Sequence, residues 1–137
     1  MSNQTVHFTG IRKKINELLE TAEREILVAV AWFTDEEIIS MLQKKINKGV
    51  KVSIIIYDDR VNKKDLFEQL YHKGANIRLS KKLMHNKFCV IDGSIIINGS
   101  YNWTYNASIN HENIQITYEK SLASSFKDEF YSLQTKC

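Results

Sequence analysis

Apolar positions along this chain switch between two periods. Ile11, Ile15, Leu18, Leu19 and Ala22 recur at helical spacing, which predicts an amphipathic helix over about residues 10–23 with Arg12, Lys13, Lys14, Glu17 and Glu20 largely outside. Glu25 to Trp32 is apolar after its first residue, the pattern of a central strand covered on both faces. Thr34-Asp35-Glu36-Glu37 then fits a capping box. Ile38, Ile39, Leu42 and Ile46 supply the buried stripe of a second helix that stops at Gly49. Val50 to Tyr57 repeats the strand pattern and Asp58-Asp59-Arg60 ends it. Leu66, Phe67, Leu70 and Tyr71 mark a third helix ending near Gly74.

Strand and helix alternating with short connections predict parallel βαβ units with right-handed crossovers. Farther on, Ala75 to Leu79 reads as a short strand. Two apolar runs, Phe88 to Ile91 and Ile95 to Ile97, flank Asp92-Gly93, a strong signal for a hairpin with a tight two-residue turn. Trp103 to His111 is polar, with at most one irregular helical turn; Asn113 to Tyr118 alternates as a last strand, and Leu122, Phe126, Phe130 and Leu133 define a closing helix. The sum is an α/β fold with a mixed, largely parallel β-sheet and helices on both faces.

Composition sets limits on this picture. The 137 residues, 43% hydrophobic and 26% charged, suit a single domain over residues 1–137 with one core, and neither a linker nor any proline divides them. The longest apolar run, Ile26 to Phe33, is too short to span a bilayer, and the start lacks a signal-peptide core. A cytoplasmic location is expected. Cys89 lies inside a predicted strand and Cys137 is the last residue, which argues against a disulfide framework or a cysteine metal site. Because the sequence ends directly after the last helix, an additional domain in a longer protein stays open.

Chemistry concentrates between His85 and Asn102. Alternation along a strand puts His85 and Lys87 on one face, and the returning strand brings Gly99, Ser100 and Asn102 back towards them. An imidazole serves as nucleophile or proton carrier near neutral pH. Lys87 supplies fixed charge, Ser100 and Asn102 supply hydroxyl and amide donors, and the backbone near Gly99 lets a phosphate approach closely. Attack on a phosphoryl centre is the reaction these groups suit. No pair of carboxylates is placed to hold a metal, so no metal or other cofactor is expected.

The pattern His-x-Lys, four residues, Asp, six residues, Gly-Ser-x-Asn resembles the signature of the phospholipase D superfamily, filled here by His85, Lys87, Asp92, Gly99, Ser100 and Asn102. The resemblance implies a phospholipase D-like domain in which these residues serve catalysis or, for Gly99, substrate binding. It identifies Glu112 as the acidic residue that holds the imidazole in its working tautomer. It also places Trp32 and Phe33 beside the substrate pocket, where an aromatic face would stack on a base or sugar; plain core packing is the alternative for both. Members of the superfamily use two such motifs, and this chain has one, so the resemblance implies a homodimer with a shared active site.

Charge bears on the substrate. The net charge is only +3, yet Arg60, Lys63, Lys64, Lys73, Arg78, Lys81, Lys82 and Lys87 face just Asp65 and Glu68 in the stretch leading into the motif. Such a bias attracts a polyanion, and Lys81 and Lys82, nearest His85, are candidates for substrate binding. The resemblance to the short single-motif members of the superfamily implies a metal-independent phosphodiesterase, an endonuclease acting on DNA or RNA through a phosphohistidine intermediate in a two-fold dimer. The alternatives are a phospholipid head-group hydrolase and a nucleic-acid-binding or dimerising module of a larger protein.

Overall fold

The chain is described from a computed structural model over residues 3–137. In order, the elements are β1 (Gln4–His7), α1 (Ile11–Glu20), β2 (Glu25–Val30), α2 (Glu36–Asn47), β3 (Lys51–Tyr57), α3 (Lys64–His72), β4 (Asn76–Ser80), β5 (Lys87–Ile91), β6 (Ile95–Gly99), α4 (Tyr105–Ile109), β7 (Ile114–Tyr118) and α5 (Lys120–Thr135). The strands form one sheet in the order β1-β7-β6-β5-β2-β3-β4.

The mixed sheet and its two helical layers agree with the expectation, but its parallel part is smaller than expected. Only the β2–β3 and β3–β4 pairings are parallel; the other four are antiparallel. The crossover helices α2 and α3 account for the parallel pairs, and the short hairpin after β5 makes the β5–β6 pair antiparallel. Alternation along the strands divides the interior in two. Val28, Ile54, Cys89 and Ile97 face α1, α2 and α3, whereas Leu27, Ala29, Phe88 and Val90 face Ala123 and Phe130 of α5.

Some local expectations need correction. The cap of α2 is Asp35 rather than Thr34: its carboxylate accepts from the Glu37 and Ile38 N–H groups at 3.0 and 3.3 Å, and Glu37 turns away to Arg12. Tyr71 and Leu122, expected in buried stripes, are exposed. Pairing of Ile91 with Ile95 leaves the three residues Asp92, Gly93 and Ser94 in the hairpin loop instead of two. Asp92 and Gly93 both hold positive φ, at 53° and 62°, which Asp and Gly tolerate better than other residues. β1 has no counterpart in the sequence reading.

The topology gathers strand ends at one end of the sheet. The last residues of β2, β3 and β6 and the first residues of β5 and β7 lie side by side there, as pairing of Val30 with Lys87 and of Gly99 with Ile114 requires. The segment after β2 is laced to the one after β6. Trp103 N–H donates to the Trp32 carbonyl at 3.1 Å, and the Thr34 and Asp35 N–H groups donate to the Trp103 carbonyl at 2.9 and 3.0 Å.

Candidate active site

Lys87 opens β5 and points to the α1–α3 face, while His85 sits two residues earlier on the exposed approach to the strand. The Lys87 ammonium donates to the His85 carbonyl at 2.9 Å and lies 3.3 Å from His85 Nε2. A charged lysine donates to Nε2 only in the tautomer whose ring proton is on Nδ1, and the Nε2 lone pair is then open to an electrophile once the Lys87 ammonium turns to another acceptor. Trp32 stands edge-on to the imidazole, with centroids 5.8 Å apart, and edge-on to Tyr57 at 6.1 Å. Burial lowers the Lys87 pKa below the ordinary lysine value, and the Glu112 carboxylate pushes it back up.

Asn102 faces the same end of the sheet. Its Oδ1 accepts from the Trp32 N–H at 3.3 Å, an arrangement that fixes the amide with its NH₂ group as the remaining donor. Ser100 donates to Glu112 Oε1 at 2.6 Å and accepts from the Asn113 N–H at 3.1 Å. Asn110 donates to the other Glu112 oxygen at 3.3 Å. Glu112 therefore holds Ser100 and Asn110, and no hydrogen bond joins it to the imidazole among the described residues; the expected tautomer-fixing contact is replaced by one to the serine.

Asp92 and Phe33 lie away from this cluster, and Gly99, at the same strand end as the cluster, packs against the neighbouring strand. Asp92 is at the far end of β5, where its carboxylate accepts from the N–H groups of Glu23, Arg24 and Glu25 at 2.9, 2.8 and 3.0 Å. Burial disfavours its charge, but these three donors outweigh burial and hold the carboxyl below its ordinary pKa. It fastens the hairpin to the start of β2, at the end of β5 opposite His85 and Lys87. Phe33 is fully buried between Phe67 and Trp103, because it points to the face opposite Trp32. Gly99 serves sheet closure: a Cβ there would overlap the Asn113 carbonyl oxygen of the neighbouring chain segment. Lys81 and Lys82 are exposed on the segment between β4 and His85, and no described side-chain contact joins them to the cluster.

Beside the cluster opens a cavity of about 450 Å³ whose wall includes Trp32, Asp59, Asn102, Tyr105, Asn110 and Glu112. Its lining is chiefly amide, hydroxyl and aromatic. Sequence reasoning missed Asn62, which is buried and pins the segment carrying Trp32: it accepts from the Phe33 N–H at 2.7 Å and donates to the Ala31 and Tyr57 carbonyls at 2.9 and 2.8 Å. A lone Asn in a polar stretch gives no sequence signal for such a role. The pocket contribution of Tyr105 and Asn110 was hidden for a similar reason, since only the placement of α4 brings them there.

Comparison with known proteins agrees with this geometry. Residues 15–134 match the family model described as cardiolipin synthase, PLD-like domain. The chain is 34% identical to a mitochondrial cardiolipin hydrolase of Chlamydomonas reinhardtii over 85% of its own length and 54% of that protein's. It is 32% identical to a phospholipase D of Rickettsia prowazekii over 98% of its length and 69% of that protein's. It thus spans about half to two thirds of these relatives. Among solved structures, Nuc of Salmonella typhimurium, a phospholipase D family member, superposes with a TM-score of 0.89 at 22% identity, covering 97% of this chain and 94% of that one. NucT of Helicobacter pylori gives 0.82 at 23% identity, covering 98% and 96%.

Proposed function

We propose, from the premise that this chain belongs to the phospholipase D superfamily, that it is a phosphodiesterase which cleaves nucleic acid through a phosphohistidine intermediate in a two-fold dimer. The observation that carries this reading is the junction of His85, Lys87 and Asn102 at one end of the sheet, with an imidazole nitrogen, an ammonium and an amide donor beside an open pocket that Asn102 and Trp32 line.

In the proposed reaction, His85 Nε2 attacks phosphorus, the N–P bond forms and the bond to the leaving oxygen breaks. The second subunit's imidazole gives that oxygen its proton. The same imidazole then takes a proton from water, whose oxygen displaces the histidine and releases the phosphate monoester. Lys87 and Asn102 donate to the non-bridging oxygens as charge builds up on them. A nucleic-acid substrate is supported by the basic approach from Arg60 to Lys87 and by Trp32 and Tyr105 at the pocket, whose faces suit a base.

A second reading, hydrolysis of a phospholipid head group, is favoured by the names of the relatives and by Val61, Tyr105 and Ile109, which are exposed near the pocket. No helix among the described residues is long and apolar enough to cross a membrane. The test is a panel of plasmid, single-stranded DNA, RNA and cardiolipin vesicles, each with and without excess EDTA. Cleavage of nucleic acid that survives chelation is the expected result. Activity confined to vesicles would select the lipid reading, and activity abolished by EDTA and restored by Mg²⁺ or Mn²⁺ would contradict the mechanism.

A further inference from the structure

We propose that the N-terminus of α1 and Tyr101 form a second phosphate-binding subsite, on the other side of α4 from the catalytic pocket, that holds a neighbouring phosphate of a nucleic-acid strand. Its part in turnover rests on the nuclease reading; its capacity to bind phosphate does not.

The first observation is a helix start that lacks its usual partners. α1 begins after Gly10, at φ 60° and ψ 28°, with no side-chain cap and no acidic residue in its first turn. Lys14 N–H closes the first turn on the Gly10 carbonyl at 3.0 Å, and the Ile11, Arg12 and Lys13 N–H groups find no acceptor among the described residues. Cations in this turn oppose the positive end of the helix dipole, and an anion there relieves them. Arg12 is paired with Asp35 at 2.7 Å and Glu37 at 3.2 Å, and Lys14 reaches Glu17 at 4.0 Å. Lys13, exposed, has no acidic partner among the described residues.

The second observation is independent of the helix. Tyr101 is 1% exposed, and its hydroxyl has no hydrogen-bond partner among the described residues. A buried donor left unmet is unusual and calls for an acceptor oxygen. Burial, and then the Asp35 carboxylate, push its pKa up to about 12, so it stays a donor at neutral pH. Tyr101 lines a cavity of about 260 Å³ together with Gly10, Arg12, Lys13, Ser108 and Asn110. That space far exceeds the roughly 30 Å³ share of one water. Helical N–H groups, a phenol, an ammonium and an amide are a donor-rich set, matched by a phosphate whose oxygens only accept.

Position links the subsite to the reaction. Ala107 and Asn110 belong to the walls of both cavities, so the two meet at α4 and its C-terminal cap. A strand with one phosphodiester at His85 would bring a neighbouring phosphate round α4 to the α1 N-terminus, which would favour strands over single diesters.

Residue-resolved amide NMR during titration with inorganic phosphate tests binding. Shifts are expected at Ile11, Arg12 and Lys13, with affinity weakened about 3-fold or more in Tyr101→Phe, the scale of one hydrogen bond, and lost in Lys13→Glu. Misfolding is excluded by thermal melts without phosphate: Tyr101→Phe removes an unmet hydroxyl, and Lys13→Glu puts a carboxylate at the favourable end of the helix, so neither variant should melt below the parent. Phosphate shifts confined to Lys87 and Asn102, or unchanged affinity in Tyr101→Phe, would overturn the subsite. In the second arm, Lys13→Glu should lower kcat/KM for an oligonucleotide, relative to bis(p-nitrophenyl) phosphate, by about 10-fold, as expected when an attractive charge becomes repulsive. An unchanged ratio overturns the role in turnover, and a fall seen only with cardiolipin vesicles overturns the assignment to a strand. If no strand is cleaved by the parent, the nuclease reading and this role fail together, while the titration still decides whether phosphate binds.

Discussion

Lys87 is where charge, burial and catalysis meet at the scale of one residue. Its ammonium already donates to His85, which leaves a donor for a phosphate oxygen. Removing it in Lys87→Ala should lower kcat by about 10²-fold or more, the scale for loss of one preorganised donor, with little change in the melting curve; near-normal turnover would put the charge outside the reaction. The pH profile tests its surroundings. Burial lowers the Lys87 pKa and Glu112 raises it, so the protonated, active form is lost at a pH below the ordinary lysine value. Glu112→Gln removes the stabilising negative charge and lowers that pKa further. The alkaline limb of kcat/KM should accordingly move to lower pH in Glu112→Gln, and a limb that stays put or moves up would contradict the coupling. His85, Lys87 and Asn102 were legible in sequence because their spacing fixes them on adjoining strand ends. Trp32 and Phe33 were not separable without the structure, since one position along the segment decides between pocket and core.

At the scale of elements, the hairpin of β5 and β6 depends on Asp92. Three backbone N–H groups leading into β2 converge on its carboxylate, so Asp92→Ala should destabilise the fold by about 1–3 kcal/mol, the scale of losing hydrogen bonds to a charged group. Its pKa is lowered in the folded state. The corresponding stability is thus fully present above the ordinary carboxyl value of 3.8 and is lost as pH falls through the lowered folded value. Urea unfolding at neutral and strongly acid pH checks this: the gap between parent and Asp92→Asn should shrink in acid. A gap independent of pH would exclude the charge as its cause. The motif made Asp92 conspicuous, but spacing alone could not tell a hairpin anchor from a catalytic acid. Elements with a buried face, such as α1, β2 and β3, were legible from periodicity. β1 was not, because its burial is slight and pairing with β7 alone defines it. α4 was legible only as an irregular turn, since its five residues bury just Ala107 and lean on the Thr104 cap.

At the scale of the whole molecule, one chain presents half of the proposed machinery. His85 is exposed, and Val61, Tyr105 and Ile109 leave apolar surface nearby, features suited to a second copy meeting the first across the site. The α/β architecture followed from alternating strands and helices. The balance of parallel and antiparallel pairings did not, because strand order places β5 beside β2 in a way that no local pattern records. The shared site is the central claim, and it predicts that nucleophile and general acid are the same residue in two copies. The most direct measurement is turnover by an isolated heterodimer of differently tagged parent and His85→Ala chains. Such a dimer holds a nucleophile without its acid or an acid without its nucleophile, so its activity should fall by about 10²-fold or more, the upper range for loss of general acid catalysis. Activity near half that of the parent dimer would mean that each chain works alone, and would contradict the account.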